Sequence, residues 1–197
     1  MLAPGVTLYF IRHGETDWNA VQRYQGQTDI PLNDKGRAQA ARNGRTLISR
    51  LGPAAATLDY VASPLSRASE TMAIVRREMG LAPDDFRRDE RLKEQNYGHW
   101  EGQLWSELPS TDPEGFAARE RDKWAWCPRG GESYRMLSER IGGWLETVRR
   151  DTVVASHGAV SRALRGLVID IPKQSLTTLE VPQDRVMIVR PGAIEWL

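Results

Sequence analysis

Short apolar segments rich in β-branched and aromatic residues recur along the chain, and each one runs directly into a turn. The clearest three cover residues 6–11, 58–62 and 152–155. The turns that follow them begin at Arg12, Ser63 and Ser156. A short apolar run bounded by turn residues is typical of a strand buried in a sheet. The pattern therefore predicts three buried strands, each ending at a sharp change of direction.

A helical pattern follows each of these strands. Asn33 is a suitable N-cap for a helix that continues to about Leu51, and the Gly-Pro pair at 52–53 ends it. The same reasoning predicts a helix over 66–79, ended by Gly80, and another that follows Gly158 and reaches about 168. Strands that alternate with helices predict an α/β fold, here a three-layer α/β/α sandwich with a mostly parallel, mixed sheet.

Two regions depart from this alternation. Near the C-terminus, residues 177–181, 185–189 and 193–196 have the composition of short antiparallel edge strands. Residues 101–132 hold three tryptophans, three prolines and a run of alternating charges at 119–123. We interpret this stretch as a lid-like insertion over the edge of the sheet, partly helical between about 113 and 124. The whole chain, 1–197, is predicted to be a single domain.

Composition narrows the classes of function. The 27 Lys and Arg residues nearly balance the 26 Asp and Glu residues, for a net charge of +1. This balance gives no overall basic field for nucleic acid or for an anionic membrane. Cys127 is the only cysteine, which excludes an intrachain disulfide, and no apolar run is long enough to span a membrane. We therefore expect a cytoplasmic protein whose anion binding comes from a local cluster.

Candidate chemistry lies where the predicted strands end. Arg12, His13, Arg67 and His157 each come just after a predicted strand, and both histidines are followed by glycine. In open α/β sheets ligands bind beyond the carboxyl ends of the strands. Residues that are distant in sequence are therefore expected to meet at one edge of the sheet.

The motifs around these positions resemble the histidine phosphatase superfamily, which includes the phosphoglycerate mutases and the broad-specificity and α-ribazole phosphatases. The similarity rests on several blocks in the order of that family and spanning most of the chain. They are Arg12-His13-Gly14-Glu15-Thr16 with Asn19, residues 26–36, residues 63–68 with Glu70 and Thr71, Leu92-Lys93-Glu94 with Gly98, Glu101 and Gly102, residues 130–133, and Ser156-His157-Gly158.

The resemblance implies a catalytic role for five residues. His13 would be the nucleophile and form a phosphohistidine, while Arg12 and Arg67 would bind the phosphoryl oxygens. His157 would be a further donor, as an imidazolium beside the dianion. Glu94 would protonate the leaving oxygen and then deprotonate the attacking water.

Three more residues are implied in substrate binding. Asn19 would donate a hydrogen bond to a phosphoryl oxygen, and Gln25 and Gly26 would line the same pocket. The substrate implied is a small phosphorylated metabolite.

Neither a metal nor another cofactor is expected. The His-x-x-x-His and Cys-x-x-Cys spacings are absent, and arginines near His13 would repel a dication. The sequence also lacks the Gly-x-x-x-x-Gly-Lys-Ser/Thr loop that binds nucleotide phosphates.

Three functions stay open at this point: hydrolysis of a phosphomonoester, mutase-type transfer as in the phosphoglycerate mutases, and a non-catalytic phosphate-binding module. Hydrolysis is favoured. The insertion at 101–132 is short, and its charges alternate in sign instead of forming a basic cluster. Its tryptophans suit a larger or more apolar leaving group than a small carboxylate.

Overall fold

In the computed structural model, which describes residues 2–197, six strands form one mixed sheet in the order β3-β2-β4-β1-β5-β6. Strands β1, β4, β2 and β3 are parallel, and β5 and β6 join antiparallel beside β1. The strands are β1 Leu8–Arg12, β2 Asp59–Ala62, β3 Arg87–Arg88, β4 Thr152–Ser156, β5 Val186–Arg190 and β6 Ala193–Trp196. The predicted α/β class with a mostly parallel sheet is confirmed.

Eight α-helices accompany the sheet in the described part of the chain. They are α1 Asp17–Ala20, α2 Asp34–Leu51, α3 Ser66–Glu78, α4 Leu108–Thr111, α5 Pro113–Arg121, α6 Tyr134–Leu145, α7 Gly158–Val168 and α8 Lys173–Leu176. The side chain of Asn33 caps α2 by accepting a hydrogen bond from Gly36 N at 2.9 Å. Gly52, with φ of +54°, ends that helix in the left-handed region that glycine favours.

Two apolar cores lie on opposite faces of the sheet, because successive strand residues point to opposite sides. In β1, Leu8 and Phe10 pack with residues of α6 and α7, whereas Tyr9 and Ile11 pack with residues of α2 and α3. The layers are therefore helix, sheet and helix. This arrangement explains why the strands read as continuous apolar runs in the sequence.

The C-terminal region corrects two of the predicted edge strands. Residues 177–181 form a turn and loop after α8 and not a strand. The reason is that arginine side chains of the central helices and strands take up the carbonyls of this loop, as with Arg12 on Val181 O and Arg162 on Leu179 O. Strand β5 is not at an edge either, since it pairs with both β1 and β6.

The insertion at 101–132 contains the predicted helix, which is α5 and ends earlier than expected, at Arg121. The insertion packs on the segment that follows α1, where Arg23 and Leu104 form an isolated antiparallel β-bridge. Trp105 lies against Tyr24, and Trp126 stacks on Trp100 with ring centroids 4.3 Å apart. Whether this segment acts as a lid stays a prediction.

None of the helices formed by residues 2–197 is both long and apolar enough to cross a bilayer.

Candidate active site

The carboxyl ends of three neighbouring strands place the candidate residues together. Arg12 ends β1 and His13 follows it, with His13 N donating to Ser156 O at 2.8 Å. His157 is the N-cap of α7, and Arg67 lies in the first turn of α3 just beyond β2. The convergence predicted from the sequence is therefore confirmed.

A cavity of about 150 Å³ opens at this end of the sheet. Seven of the eight residues expected at the site line it, namely Arg12, His13, Asn19, Gln25, Gly26, Arg67 and Glu94. His157, the eighth, is fully buried behind His13, with ring centroids 5.1 Å apart at an interplanar angle of 61°.

The ring of His13 is held in one tautomer. Its Nδ1 lies 2.7 Å from Gly14 O, and because a carbonyl can only accept, Nδ1 must carry the proton. Nε2 is then the unprotonated nitrogen. Burial, together with the nearby Arg67 and Arg12, holds the pKa of His13 well below its ordinary value. The free site thus presents a neutral imidazole with a nucleophilic nitrogen.

His157 is arranged as a hydrogen-bond donor. Its Nε2 lies 2.8 Å from Ser63 Oγ, which already accepts from Leu65 N. When the Ser63 hydroxyl donates to Nε2, the ring proton lies on Nδ1, a buried atom with no partner in the described structure. Burial and then Arg67, His13 and Arg12 hold the pKa of His157 well below its ordinary value. The ring is therefore neutral in the free site, and the imidazolium expected beside a bound dianion stays a prediction.

The fully buried Arg67 and the partly buried Arg12 supply the positive charge. Arg12 donates to Val181 O at 2.7 Å, and Arg67 donates to Gly26 O at 2.7 Å and to Thr28 O at 2.9 Å. The Nε atoms of both are buried without a partner in the described structure. Burial lowers the pKa of Arg12 to about 10, although Glu94 opposes the shift, so the guanidinium stays charged at neutral pH. These cations are held by carbonyls, which leaves their charge available to a bound anion.

Helix α1 and the loop after it bring in the predicted binding residues. Asn19 Oδ1 accepts from Thr16 N at 3.2 Å and from Gln183 Nε2 at 3.1 Å, so its Nδ2 is left to donate into the cavity. Gly26 has φ of +52°, and a Cβ there would lie 2.0 Å from Glu101 Oε1. That carboxylate organises the loop, accepting from Gln27 N and Thr28 N at 2.9 and 3.0 Å.

Glu94 presents its carboxylate at the N-terminus of α7. Its Oε1 accepts from Gln95 N at 2.9 Å and from Ala159 N at 3.1 Å, and Oε2 lies 3.3 Å from the same Ala159 N. A Cβ on Gly158 would contact both Arg12 Nε at 3.6 Å and Glu94 Oε2 at 3.7 Å. The glycine therefore separates a cation from a carboxylate with no side chain between them.

Sequence reasoning missed part of the cavity wall. Arg23, Tyr24, Tyr97, Gly158 and Arg162 also line it. Arg162 donates to Leu179 O at 2.7 Å, and although burial opposes it, Tyr134 and Tyr97 raise its pKa overall. A signal for Arg162 was present, because it follows Gly158 by four residues on a helix and so shares its face. Arg23 and Tyr24 adjoin the predicted Gln25 and carried no separate signal.

The tryptophans of the insertion do not line the cavity, and their expected role beside the leaving group stays a prediction. The lining residues all lie outside 101–132, and Trp105 and Trp126 pack against other aromatic rings behind the cavity. Within residues 2–197, no group of three or more histidine, cysteine or carboxylate side chains is placed to hold a metal ion. The arrangement suits a phosphoryl dianion, since it combines fixed cations, neutral donors, a nucleophilic nitrogen and a carboxylate.

Comparison with known proteins agrees with this chemistry. The model of the histidine phosphatase superfamily (branch 1) matches residues 8–196, nearly the whole chain. The chain therefore belongs to the histidine phosphatase superfamily, and as an enzyme it falls in the class of phosphoric monoester hydrolases.

Individual relatives are similar over most of their length. A glucosyl-3-phosphoglycerate phosphatase of Mycobacterium tuberculosis is 31% identical over 178 residues, covering 84% of this chain and 76% of the relative. A metal-independent phosphoserine phosphatase of Arabidopsis thaliana is 32% identical over 170 residues, covering 80% and 66%. Among solved structures, a mycobacterial glucosyl-3-phosphoglycerate phosphatase in complex with VO3 superimposes with a TM-score of 0.78 at 27% identity, covering 98% of this chain and 96% of the other.

Proposed function

We propose that this enzyme hydrolyses a small phosphomonoester through a phosphohistidine on His13, with Glu94 as the proton donor and without a metal. The observation that carries the proposal is the hydrogen bond from His13 Nδ1 to Gly14 O, which fixes Nε2 as the nucleophilic nitrogen. The depressed pKa of His13 supports it, because only the neutral ring has a lone pair to attack phosphorus.

The reaction consists of two phosphoryl transfers, the first to His13 and the second to water. In the first, the Nε2 lone pair of His13 bonds to phosphorus, the bond from phosphorus to the leaving oxygen breaks, and Glu94 gives that oxygen its proton. In the second, water attacks the phosphorus, Glu94 takes the proton from water, and the phosphorus–nitrogen bond breaks to release inorganic phosphate. One carboxyl group thus acts first as acid and then as base.

The negative charge that develops on the phosphoryl oxygens in the transition state is stabilised by groups that are already in place. Arg12 and Arg67 keep guanidinium protons for this task, and His157 Nδ1 and Asn19 Nδ2 are neutral donors beside them. Preorganised donors of this kind stabilise a transition state without further rearrangement. Two arginines can neutralise the dianion, which is why we expect no requirement for a metal.

The rest of the cavity supports a substrate with a second anionic group. Four arginines and one carboxylate line it, which gives a charge of +3 while the histidines are neutral. When Glu94 carries the proton that it gives to the leaving oxygen, the charge is +4, and a phosphoryl dianion leaves two positive charges in excess. Arg23 and Arg162 make no ion pair with a carboxylate in the described structure, and the two named relatives act on phosphorylated acids. We therefore propose a phosphorylated carboxylic acid as the substrate class.

Release of phosphate from p-nitrophenyl phosphate after dialysis against EDTA tests the catalytic proposal. Wild type is expected to turn over, His13→Ala is expected to lose turnover, and His99→Gln is the matched control. His99 lies on Asp112, with Nε2 at 2.9 Å from Oδ2, outside the cavity. Turnover by His13→Ala within tenfold of wild type would contradict the proposal, as would activity that needs added Mg²⁺ or Zn²⁺.

The substrate class is tested by comparing 3-phosphoglycerate and phosphoserine with p-nitrophenyl phosphate. Arg162→Met should raise KM for the two acids by roughly tenfold, the size expected for one charged hydrogen bond, and leave KM for p-nitrophenyl phosphate nearly unchanged. An equal change for all three would remove Arg162 from acid recognition. Formation of 2-phosphoglycerate faster than inorganic phosphate would favour the mutase alternative.

A further inference from the structure

Gln183 lies 170 residues from His13 in sequence, yet its side chain contacts His13 and Asn19, two residues that line the cavity. Its Nε2 donates to His13 O at 3.1 Å and to Asn19 Oδ1 at 3.1 Å. Both protons of this amide are therefore used, one on the main chain of the nucleophile and the other on a side chain that lines the cavity.

The second of these bonds decides what Asn19 offers to a ligand. An asparagine amide can rotate by half a turn and exchange its oxygen for its nitrogen. Here Oδ1 faces two donors, Gln183 Nε2 and Thr16 N, and a rotated amide would set its NH2 against both. The nitrogen of Asn19 is thereby held toward the cavity, where it is a donor for phosphoryl oxygens.

Gln183 is itself held from the other side. Its main-chain carbonyl oxygen accepts a hydrogen bond from Nδ2 of Asn43 at 3.0 Å. Asn43 belongs to α2 and is only 1% exposed, so it gives the loop a rigid anchor. Hydrogen bonds thus connect α2 to the main chain of Gln183, and they connect the side-chain amide of Gln183 to His13 and Asn19.

From this geometry we infer that Gln183 is a positioning residue of the phosphoryl site, acting chiefly through the amide orientation of Asn19. The inference rests on the proposed function. It assigns a role to a loop that none of the motifs in the sequence marks. Gln183 does not line the cavity, so its effect on a substrate must pass through the two groups it contacts.

The test is a double-mutant cycle on kcat/KM and on inhibition by vanadate, a mimic of five-coordinate phosphorus. Gln183→Met, which keeps the length but has no donor, should lower kcat/KM by roughly 5- to 10-fold and weaken vanadate inhibition by a similar factor. In the Asn19→Ala background the same change should have an effect at least about threefold smaller. Gln174→Met, an exposed glutamine on α8, is the matched control and should match wild type.

A purely structural role would lower the melting temperature and the activity together, with the same factor in both backgrounds, and that result would overturn the inference. Gln183→Glu keeps the shape of the side chain, so it serves if the methionine variant folds poorly. Its oxygen would face His13 O and Asn19 Oδ1, and we expect a larger loss of kcat/KM than with methionine. Activity equal to wild type in Gln183→Glu would also overturn it.

The two proposals fail differently. Wild-type turnover without a phosphoryl group on His13 would contradict the proposed function. Label on His13 in wild type, combined with unchanged kinetics in Gln183→Met, would contradict only the role of Gln183.

Discussion

His13 is kept neutral in part by the same arginines that are placed to bind a phosphoryl group. Burial contributes most to its lowered pKa, followed by Arg67 and Arg12. One pair of side chains can thus favour the reactive form of the nucleophile and neutralise the charge of the group it attacks. Once a dianion binds, the electrostatic effect of the arginines on the ring is offset, which eases the build-up of positive charge on the imidazole during attack.

The first prediction concerns the acid. Glu94→Gln keeps the size of the side chain but has no proton to transfer, so alkyl phosphates, which have poor leaving groups, should slow by about 10²–10⁴-fold. The p-nitrophenolate group leaves without help, and its release should slow much less in the first step. Pre-steady-state formation of the phosphoenzyme measures this difference.

Glu90→Gln is the control for that experiment, because Glu90 is an exposed neighbour paired with Lys93. It should match wild type on both substrates. An equal slowing of alkyl and aryl phosphates in Glu94→Gln would show that Glu94 has only a structural role.

At the scale of single residues, the sequence identified the candidates that sit in recognisable motifs and missed those that do not. Arg12, His13 and Arg67 follow strand ends, so their convergence could be expected from topology alone. Glu94 could not be chosen by spacing among its acidic neighbours, and only the resemblance selected it. Gln183 had no signal of any kind, because its partners lie 140 to 170 residues away in sequence.

Among the secondary-structure elements, the N-terminus of α7 is the one on which the site most depends. It carries His157 as N-cap, Gly158 as its first residue and Ala159 N as the donor to Glu94. A helix N-terminus favours negative charge, which suits both a carboxylate and a phosphoryl group. The absence of a side chain at 158 leaves this end open to the cavity.

Gly158→Ala is therefore predicted to fold normally and to lose activity. A Cβ there would be in ordinary contact with Arg12 and Glu94, at 3.6 and 3.7 Å, so the fold need not adjust. The methyl group would occupy space that the phosphoryl group needs beside Arg12 and Glu94, and we expect kcat/KM to fall by roughly 10- to 100-fold. Steady-state kinetics with p-nitrophenyl phosphate measures this decrease in kcat/KM.

Gly143→Ala in α6 provides the matched control for Gly158→Ala. A Cβ at 143 meets nothing within 4 Å, and the residue is exposed. Replacing glycine inside a helix should stabilise the protein by about 0.5–1 kcal/mol and leave kcat/KM unchanged. Full activity in Gly158→Ala would mean that the phosphoryl group does not approach this helix.

The secondary-structure elements could be predicted where the local sequence pattern determines them. The three strand-to-helix units were found because buried parallel strands have apolar sequences, and because Asn33 caps α2 while Gly52 and Gly80 follow the ends of α2 and α3. The stretch at 177–181 was misread because its β-like composition does not decide its pairing, and its carbonyls bind Arg12 and Arg162 instead of a neighbouring strand. Only the tertiary structure reveals that these arginines bind the carbonyls that a neighbouring strand would otherwise bind.

For the whole molecule, burying two neutral histidines at one site has a consequence for stability. Burial and the arginines lower the pKa of both His13 and His157 in the folded state, whereas in the unfolded chain both are near 6.5. As pH falls below that value, the unfolded chain binds more protons than the folded one. The free energy of unfolding must then decrease.

Denaturant unfolding at pH 7.5 and at pH 5.5 is predicted to show this loss. Each histidine can contribute up to about 1.4 kcal/mol for every pH unit between its unfolded and folded pKa values. His157→Gln removes one of the two groups and should make the decrease smaller than in wild type. Stability that is unchanged or higher at pH 5.5 in wild type would contradict the neutral state of these rings.

The central claim is that the phosphoryl group passes through His13. Wild type mixed with a ³²P-labelled phosphomonoester and quenched within the first turnover should carry label that is acid-labile and alkali-stable, located by peptide mapping at His13. His13→Ala should carry none. Label on a serine or on Cys127, or turnover in wild type with no label on the protein under conditions where the second step is slow, would contradict the account.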